Sequence, residues 1–236
     1  MPIFTGESVM IKGVFMDIQI RSCIEGARMA RGVTVVIDVF RASNTIIACL
    51  GQGAKYVIPV GELQRAYRLK KEKPGHLLIG ERNSQTPEGF DFGNSPSLLS
   101  SLDLKNKRVI ATTSAGTQGI VHATGAEEIL VGSFANAGTI VEYIRKRGSK
   151  EVTLAAMGFA SSEKAEEDEQ CALYIKQKLE GKKTDFERMK AEILKSRGAD
   201  RLRSIGCQED LDFALKLDLY TMVPYYDRQT ERILKI

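Results

Sequence analysis

Two stretches of this chain are built on one plan, and that plan restricts the fold to a layered sheet. Residues 33–62 read VTVVIDVFRASNTIIACLGQGAKYVIPVGE, and residues 108–136 read RVIATTSAGTQGIVHATGAEEILVGSFAN. Each runs from an apolar segment through a hydroxyl-rich bend and a short apolar helix to Gly-Ala, a second apolar segment and Val-Gly. Apolar runs without polar alternation are strands buried on both faces, and strands alternating with helices imply parallel βαβ units. The polar bends then fall at the carboxyl edge of the sheet, where helix N-termini present free N–H groups and anions collect.

The remaining elements extend the plan. Strands are expected over residues 33–39, 55–60, 76–79, 108–112, 127–131 and 151–157, with helices over 44–50, 62–72, 118–123 and 137–147. Residues 14–20 alternate Met16, Ile18 and Ile20 with Asp17 and Gln19, the pattern of an edge strand with one wet face. Residues 163–197 turn strongly helical, a last apolar helix lies near 211–217, and an extended segment, 219–223, ends at Pro224. The expectation is an α/β fold with a largely parallel sheet and internal duplication of two similar halves. Its 236 residues form a single domain, 1–236, with about 1–105 and 106–236 as candidate pseudo-symmetric lobes.

Composition excludes several classes. A net charge of +4 is mild and no basic run is interleaved with aromatics, so no nucleic-acid partner is expected. The start has an early Glu7 and no apolar leader, and no uncharged stretch is long enough to span a bilayer, so the expectation is a cytoplasmic protein without a membrane partner. Cys23, Cys49, Cys171 and Cys207 lack CxxC spacing and read as free thiols. A homo-oligomer is compatible with this composition.

Chemistry-bearing residues gather at the bends. Asp38, Arg41, Ser43 and Thr45 follow the first buried strand and offer a carboxylate, a guanidinium and hydroxyls. Capping of the next helix by Asp38 or Ser43, with Arg41 paired to Asp38, is the structural alternative. Glu81 and Arg82 open the irregular stretch 83–96, which carries Asp91, Asn94 and two aromatic anchors, Phe90 and Phe92. Ser95 and Pro96 form an ordinary helix start. Thr112, Thr113, Ser114, Gly116 and Thr117 make the second bend, suited to cradling a phosphate through N–H and hydroxyl groups. Asn136 ends the equivalent bend one strand later, where capping is the alternative role. In the acidic run 163–169, most carboxylates decorate a helix N-terminus, but Asp168 stands beside the buried stripe of Cys171, Ala172 and Ile175.

Elimination narrows the reaction. No GxxxxGK[ST] or GxGxxG occurs, and neither His76 nor His122 lies in a polar bend, which disfavours a phosphohistidine route or a Ser-His hydrolase. Phe40 occupies the place where a haloacid-dehalogenase relative needs its second Asp. Carboxylates, arginines and hydroxyl-rich bends remain, an inventory suited to Mg²⁺ and a phosphorylated small molecule.

Six ordered motifs, VIDVFRAS at 36–43, GER at 80–82, GFDFGNSP at 89–96, TTSAGT at 112–117, GSFAN at 132–136 and Glu167-Asp168, resemble the 2-phosphosulfolactate phosphatase family. The similarity runs from about 33 to 181 and resumes weakly at 210–224. It implies a three-layer α/β/α fold with internal duplication and a Mg²⁺-dependent phosphatase that converts 2-phospho-3-sulfolactate to 3-sulfolactate and phosphate, toward coenzyme M. On that resemblance Asp38, Arg41 and Arg82 are the expected catalytic residues. Ser43, Asn94, Thr113, Ser114, Gly116, Thr117 and Asn136 are expected to bind substrate, and Glu81, Asp91, Asp168 and Asp38 to hold the metal. Ala115 stands where the family commonly has Asn, and Ser43-Asn44 replaces a Thr-Thr pair. The alternatives are a phosphatase of another small organic phosphate and a non-catalytic domain that binds a phosphorylated metabolite.

Overall fold

The computed structural model describes residues 8–11 and 14–236, with side chains from Met16 onward. In chain order its first half comprises β1 (Ser8–Ile11), β2 (Val14–Ser22), α1 (Cys23–Arg28), β3 (Val33–Ile37), α2 (Ala42–Gly51), β4 (Tyr56–Pro59), α3 (Leu63–Glu72), β5 (Leu77–Gly80) and α4 (Pro96–Ser100). There follow β6 (Arg108–Thr112), α5 (Gly116–His122), β7 (Glu128–Gly132), α6 (Ala137–Arg147), β8 (Glu151–Ala156) and α7 (Glu166–Leu179). The chain closes with α8 (Phe186–Ile193), α9 (Arg197–Ser204), α10 (Gln208–Ala214), β9 (Pro224–Asp227) and β10 (Arg232–Lys235).

Among the described residues ten strands share one sheet, in the order β1-β2-β8-β3-β7-β9-β10-β4-β6-β5. From β8 to β5 this order is a palindrome. The strands of the first unit, β3, β4 and β5, occupy places mirrored by β6, β7 and β8, with the hairpin β9–β10 at the centre. Strands β3, β7 and β8 pair in parallel, as do β4, β5 and β6, but the hairpin joins the two sets through antiparallel pairing. The junctions are brief, one registered pair each, Leu130 with Tyr225 and Ile233 with Val57. Strands from the two sequence halves therefore alternate through the sheet, since α2 carries the chain from β3 to β4 and α5 carries it back from β6 to β7.

Period-two alternation along β3 assigns the layers. Val35 and Ile37 join a core with Leu130, Phe134, Ile140, Ile144 and Ile175, beneath α6 and α7. Val36 points the other way, into a core with Ile46, Ile47, Leu50, Leu99 and Ile120, beneath α2, α4 and α5. A third cluster of Ile58, Val60, Ala66, Leu78 and Ile110 seats α3. This is a mixed, mostly parallel α/β sheet flanked by helices. Among the described residues no helix is long and apolar enough to cross a membrane.

One expectation changes. Residues 14–20 do not form the edge, because β1 pairs antiparallel with β2 on its outer side; the alternation is real, with Met16 and Ile18 buried and Asp17 and Gln19 half-buried. The extended segment 219–223 forms no regular element and leads into β9. The pairing strand begins at Pro224, whose missing N–H costs nothing at a first strand position. Glu7 lies outside the described residues.

Candidate active site

The two repeated bends meet. Asp38 follows β3, and its Oδ1 accepts from the Ala42 N–H at 3.1 Å at the start of α2. Its other partner comes from the second unit, the Gly116 N–H at the start of α5. A Cβ at Gly116 would lie 2.6 Å from the Ala42 Cβ and 2.9 Å from Asp38 Oδ2, so only glycine allows the two helix starts to approach this closely. Gly80 has a similar duty at the end of β5. With φ at +140° and the Thr112 carbonyl 1.9 Å from where a Cβ would stand, it turns the chain so that the Glu81 N–H donates to Thr112 O at 3.1 Å.

Glu81 then reaches across to the second bend. Its Oε1 accepts from the Ser114 N–H at 2.6 Å, and its Oε2 from the Ser84 N–H at 2.8 Å and the Ser114 hydroxyl at 3.1 Å. Asp168, in the first turn of α7, bridges two strand ends. Its Oδ1 accepts from the Val39 N–H at 2.7 Å and its Oδ2 from the Gly158 N–H at 2.8 Å. Asp38, Arg41, Glu81, Asn94, Ser114, Glu167 and Asp168 thus line one cavity of about 50 Å³, along with Phe159 and Arg201. Asn94 is buried there and its Oδ1 has no hydrogen-bond partner among the described residues.

The carboxylates are crowded and dry. Burial pushes Asp38 up to about 6, helped by the charge of Glu81 and opposed by the Ala42 and Gly116 N–H groups. Burial likewise pushes Glu167 up to about 7, with Arg201 opposing and Asp38 and Glu166 adding. Asp168 is raised well above the usual carboxylate range, first by burial and then by the charges of Asp38 and Glu167. Like charges gathered at low dielectric disfavour joint ionisation unless a cation joins them.

Other expected site residues lie close by but serve the framework. Arg41 lines the cavity, yet its Nη1 pairs with buried Asp210 at 2.8 Å, and Asp210 also accepts from the Ser95 and Ser97 hydroxyls at 2.7 and 2.6 Å. Arg41 therefore pairs with Asp210 and not with Asp38. Arg82 does not line the cavity, its guanidinium donating to the carbonyls of Glu81 and Gly61 and to Thr112 Oγ1. Ser43 Oγ accepts from the Asp38 N–H at 3.0 Å and donates to Val36 O. Thr113 and Thr117 tie one another, with Thr117 Oγ1 accepting from the Thr113 N–H and Thr113 Oγ1 from the Thr117 N–H. Asn136 Oδ1 accepts from the Ser133 N–H, and its Nδ2 donates to Val131 O and Met222 O.

Asp91 is the correction of substance. It was expected among the metal ligands, but its Oδ2 accepts from the Leu78 N–H and pairs with Lys70 at 2.6 Å, and it does not line the cavity. An ammonium and a backbone donor at the half-exposed strand edge already satisfy it. Two cavity residues had no sequence signal as site members: Phe159, just past the end of β8, and Arg201 on α9. Arg201, like Asp210 on α10, reaches the sheet edge only because the helical region packs back over it.

Among the described residues no three His, Cys, Asp or Glu side chains form a ready-made cation cage. The donor set nevertheless fits a hard cation in its chemistry: four carboxylates, Asp38, Glu81, Glu167 and Asp168, face one space, while the nearby Arg41 is already balanced by Asp210.

Comparison with known proteins agrees in kind. A family model described as 2-phosphosulpholactate phosphatase matches residues 19–229. A probable 2-phosphosulfolactate phosphatase of Thermotoga petrophila is 38% identical over 205 residues, covering 80% of this chain and 87% of the relative. Its counterpart in Thermotoga maritima is 37% identical with the same coverage. One from Thermoplasma acidophilum is 32% identical over 197 residues, covering 82% of this chain and 86% of the relative.

Proposed function

Since this chain belongs to the 2-phosphosulpholactate phosphatase family, we propose that it is a Mg²⁺-dependent phosphoric monoester hydrolase that converts 2-phospho-3-sulfolactate to 3-sulfolactate and phosphate. The observation that carries the metal dependence is the charge balance of the cleft. Four carboxylates face a space whose one unengaged cation among the described residues is Arg201. A substrate bearing roughly four negative charges, counting a nearly dianionic phosphate, is repelled from such a space unless a divalent cation offsets the carboxylates.

Asp38, Glu81 and Asp168 are the residues that would hold the ion. When bound, Mg²⁺ neutralises charge on the phosphoryl oxygens. The chain's own groups do the rest. N–H groups from Ala42, Gly116, Val39 and Gly158 hold Asp38 and Asp168 in fixed positions. Asn94 and Ser114 offer polar contacts at the wall. Asp38 acts as a ligand or as the group that attacks phosphorus, and both roles require an ionised oxygen.

The test is release of phosphate from phosphosulfolactate and from 2-phospholactate. Turnover should require Mg²⁺ and stop in EDTA. Equal turnover in chelator would overturn the metal dependence, and calorimetric binding without phosphate release under any metal would favour a binding domain.

A further inference from the structure

The arginines near the cleft differ in what holds them. Asp210 engages Arg41, and three oxygen acceptors engage Arg82. Among the described residues the Arg201 guanidinium makes no hydrogen bond or ion pair. It lies over the Phe159 ring, its Cζ 4.1 Å from the ring centroid. Stacking leaves the planar N–H edge available while one face is shielded from water, a disposition suited to forked bonds to an oxyanion.

Its place is equally specific. The cavity that contains Asp38 and Asp168, about 50 Å³, adjoins a wider groove of about 740 Å³ between the start of α7 and the α8–α9 junction. Phe159, Glu167 and Arg201 line both. The groove also carries Lys164, Lys195 and Arg197 against Glu163, Glu166 and Glu192, so its rim is mixed in sign. The inner cavity is far smaller than the groove it adjoins, so only part of an extended substrate fits among the carboxylates. A phosphorylated three-carbon acid must therefore extend toward the groove, past Arg201.

We propose that Arg201 is a specificity-determining residue, receiving the acidic group of the substrate that is not transferred, its sulfonate or carboxylate. The proposal rests on the phosphatase reading for the identity of the substrate, but the contact it assigns is a binding contact. Phe159 lies against the guanidinium face and orients its plane where the cavity and the groove meet, beside Glu167.

The experiment compares the wild type with Arg201→Gln, Arg201→Lys and Phe159→Leu by calorimetric titration with two probes, 3-sulfolactate and inorganic phosphate, in Mg²⁺. Arg201→Gln should weaken 3-sulfolactate tenfold or more, and by clearly more than it weakens phosphate. Arg201→Lys should fall between, since an ammonium keeps the charge and loses the fork. Phe159 is 39% exposed, so Phe159→Leu should fold normally and weaken 3-sulfolactate in the same direction to a smaller extent. Steady-state kinetics on phosphosulfolactate and 2-phospholactate separate the two acidic groups: a larger rise in KM for the sulfonated substrate assigns the sulfonate, and equal rises assign the carboxylate. The assignment is overturned if Arg201→Gln binds 3-sulfolactate as well as the wild type does. It also fails if the variant loses phosphate as much as 3-sulfolactate, or if the wild type binds phosphate alone. Absence of phosphate release by the wild type would instead sink the phosphatase reading, while Arg201-dependent binding of 3-sulfolactate would still stand.

Discussion

Asp38 is held between opposing forces: burial and Glu81 favour its protonated form, while the Ala42 and Gly116 N–H groups favour the carboxylate. Asp38→Asn removes the ionised oxygen and keeps the shape. It should lower kcat by about 10²–10⁴-fold, the range for a positioned catalytic group, with an unchanged circular dichroism spectrum. Arg41 and Asp210 make a different case, because both are buried and each neutralises the other. Asp210→Ala should destabilise the protein by about 3–5 kcal/mol in denaturant unfolding, the cost of a buried charge without its partner. The double variant Arg41→Met with Asp210→Leu should recover much of that stability and little activity. A double variant no more stable than Asp210→Ala would show that the pair contributes through geometry and not through charge.

At the scale of elements, the hairpin β9–β10 matters most, since among the described residues it is the only connection of hydrogen-bonded strands between the two parallel sets. Ile233 is fully buried at the junction with Val57. Ile233→Ala should cost about 2–5 kcal/mol in urea unfolding, as for a large-to-small core change, and a cost below about 1 kcal/mol would show that the junction is not a packing point. The hairpin also explains what the sequence left obscure. Six buried strands and the helix α6 (Ala137–Arg147) were legible from apolar runs and period, because burial on both faces leaves a local mark. Two four-residue strands, the first starting at a proline, leave almost none, and the place of β9–β10 in mid-sheet depends on partners about a hundred residues or more away in sequence.

For the whole molecule, the buried acidic cluster couples stability to pH. Asp38 and Glu167 titrate higher folded than unfolded, to about 6 and about 7, so the native state binds more protons between roughly pH 4 and 7. Their contribution is fully present below the unfolded values and is lost as pH rises through the folded ones. The metal-free protein should therefore melt higher near pH 5 than near pH 8 as far as these groups are concerned, and Asp38→Asn should flatten the slope. Each kcal/mol corresponds to about 2–4 °C at this chain length. Saturating Mg²⁺ should raise the melting temperature most at pH 8, where the carboxylates are ionised. No Mg²⁺ shift at any pH would count against the ion site.

What the sequence determined by itself was the class of the fold and the neighbourhood of the site. Alternating buried runs and helices demand parallel strand pairs, and the polar bends at 38–43 and 112–117 must then fall at strand ends. Asp38, Glu81, Asn94, Ser114 and Asp168 reach one cavity from four parts of the chain, as those bends suggested. Only the tertiary structure decided the partners. Asp91 goes to Lys70, Arg41 to Asp210, 169 positions away, and Arg82 to backbone carbonyls, while Arg201 arrives from a helix with no motif of its own. The reason is physical: periodicity and turn chemistry record whether a residue is buried locally, whereas the partner of a buried charge is set by which distant element packs against it.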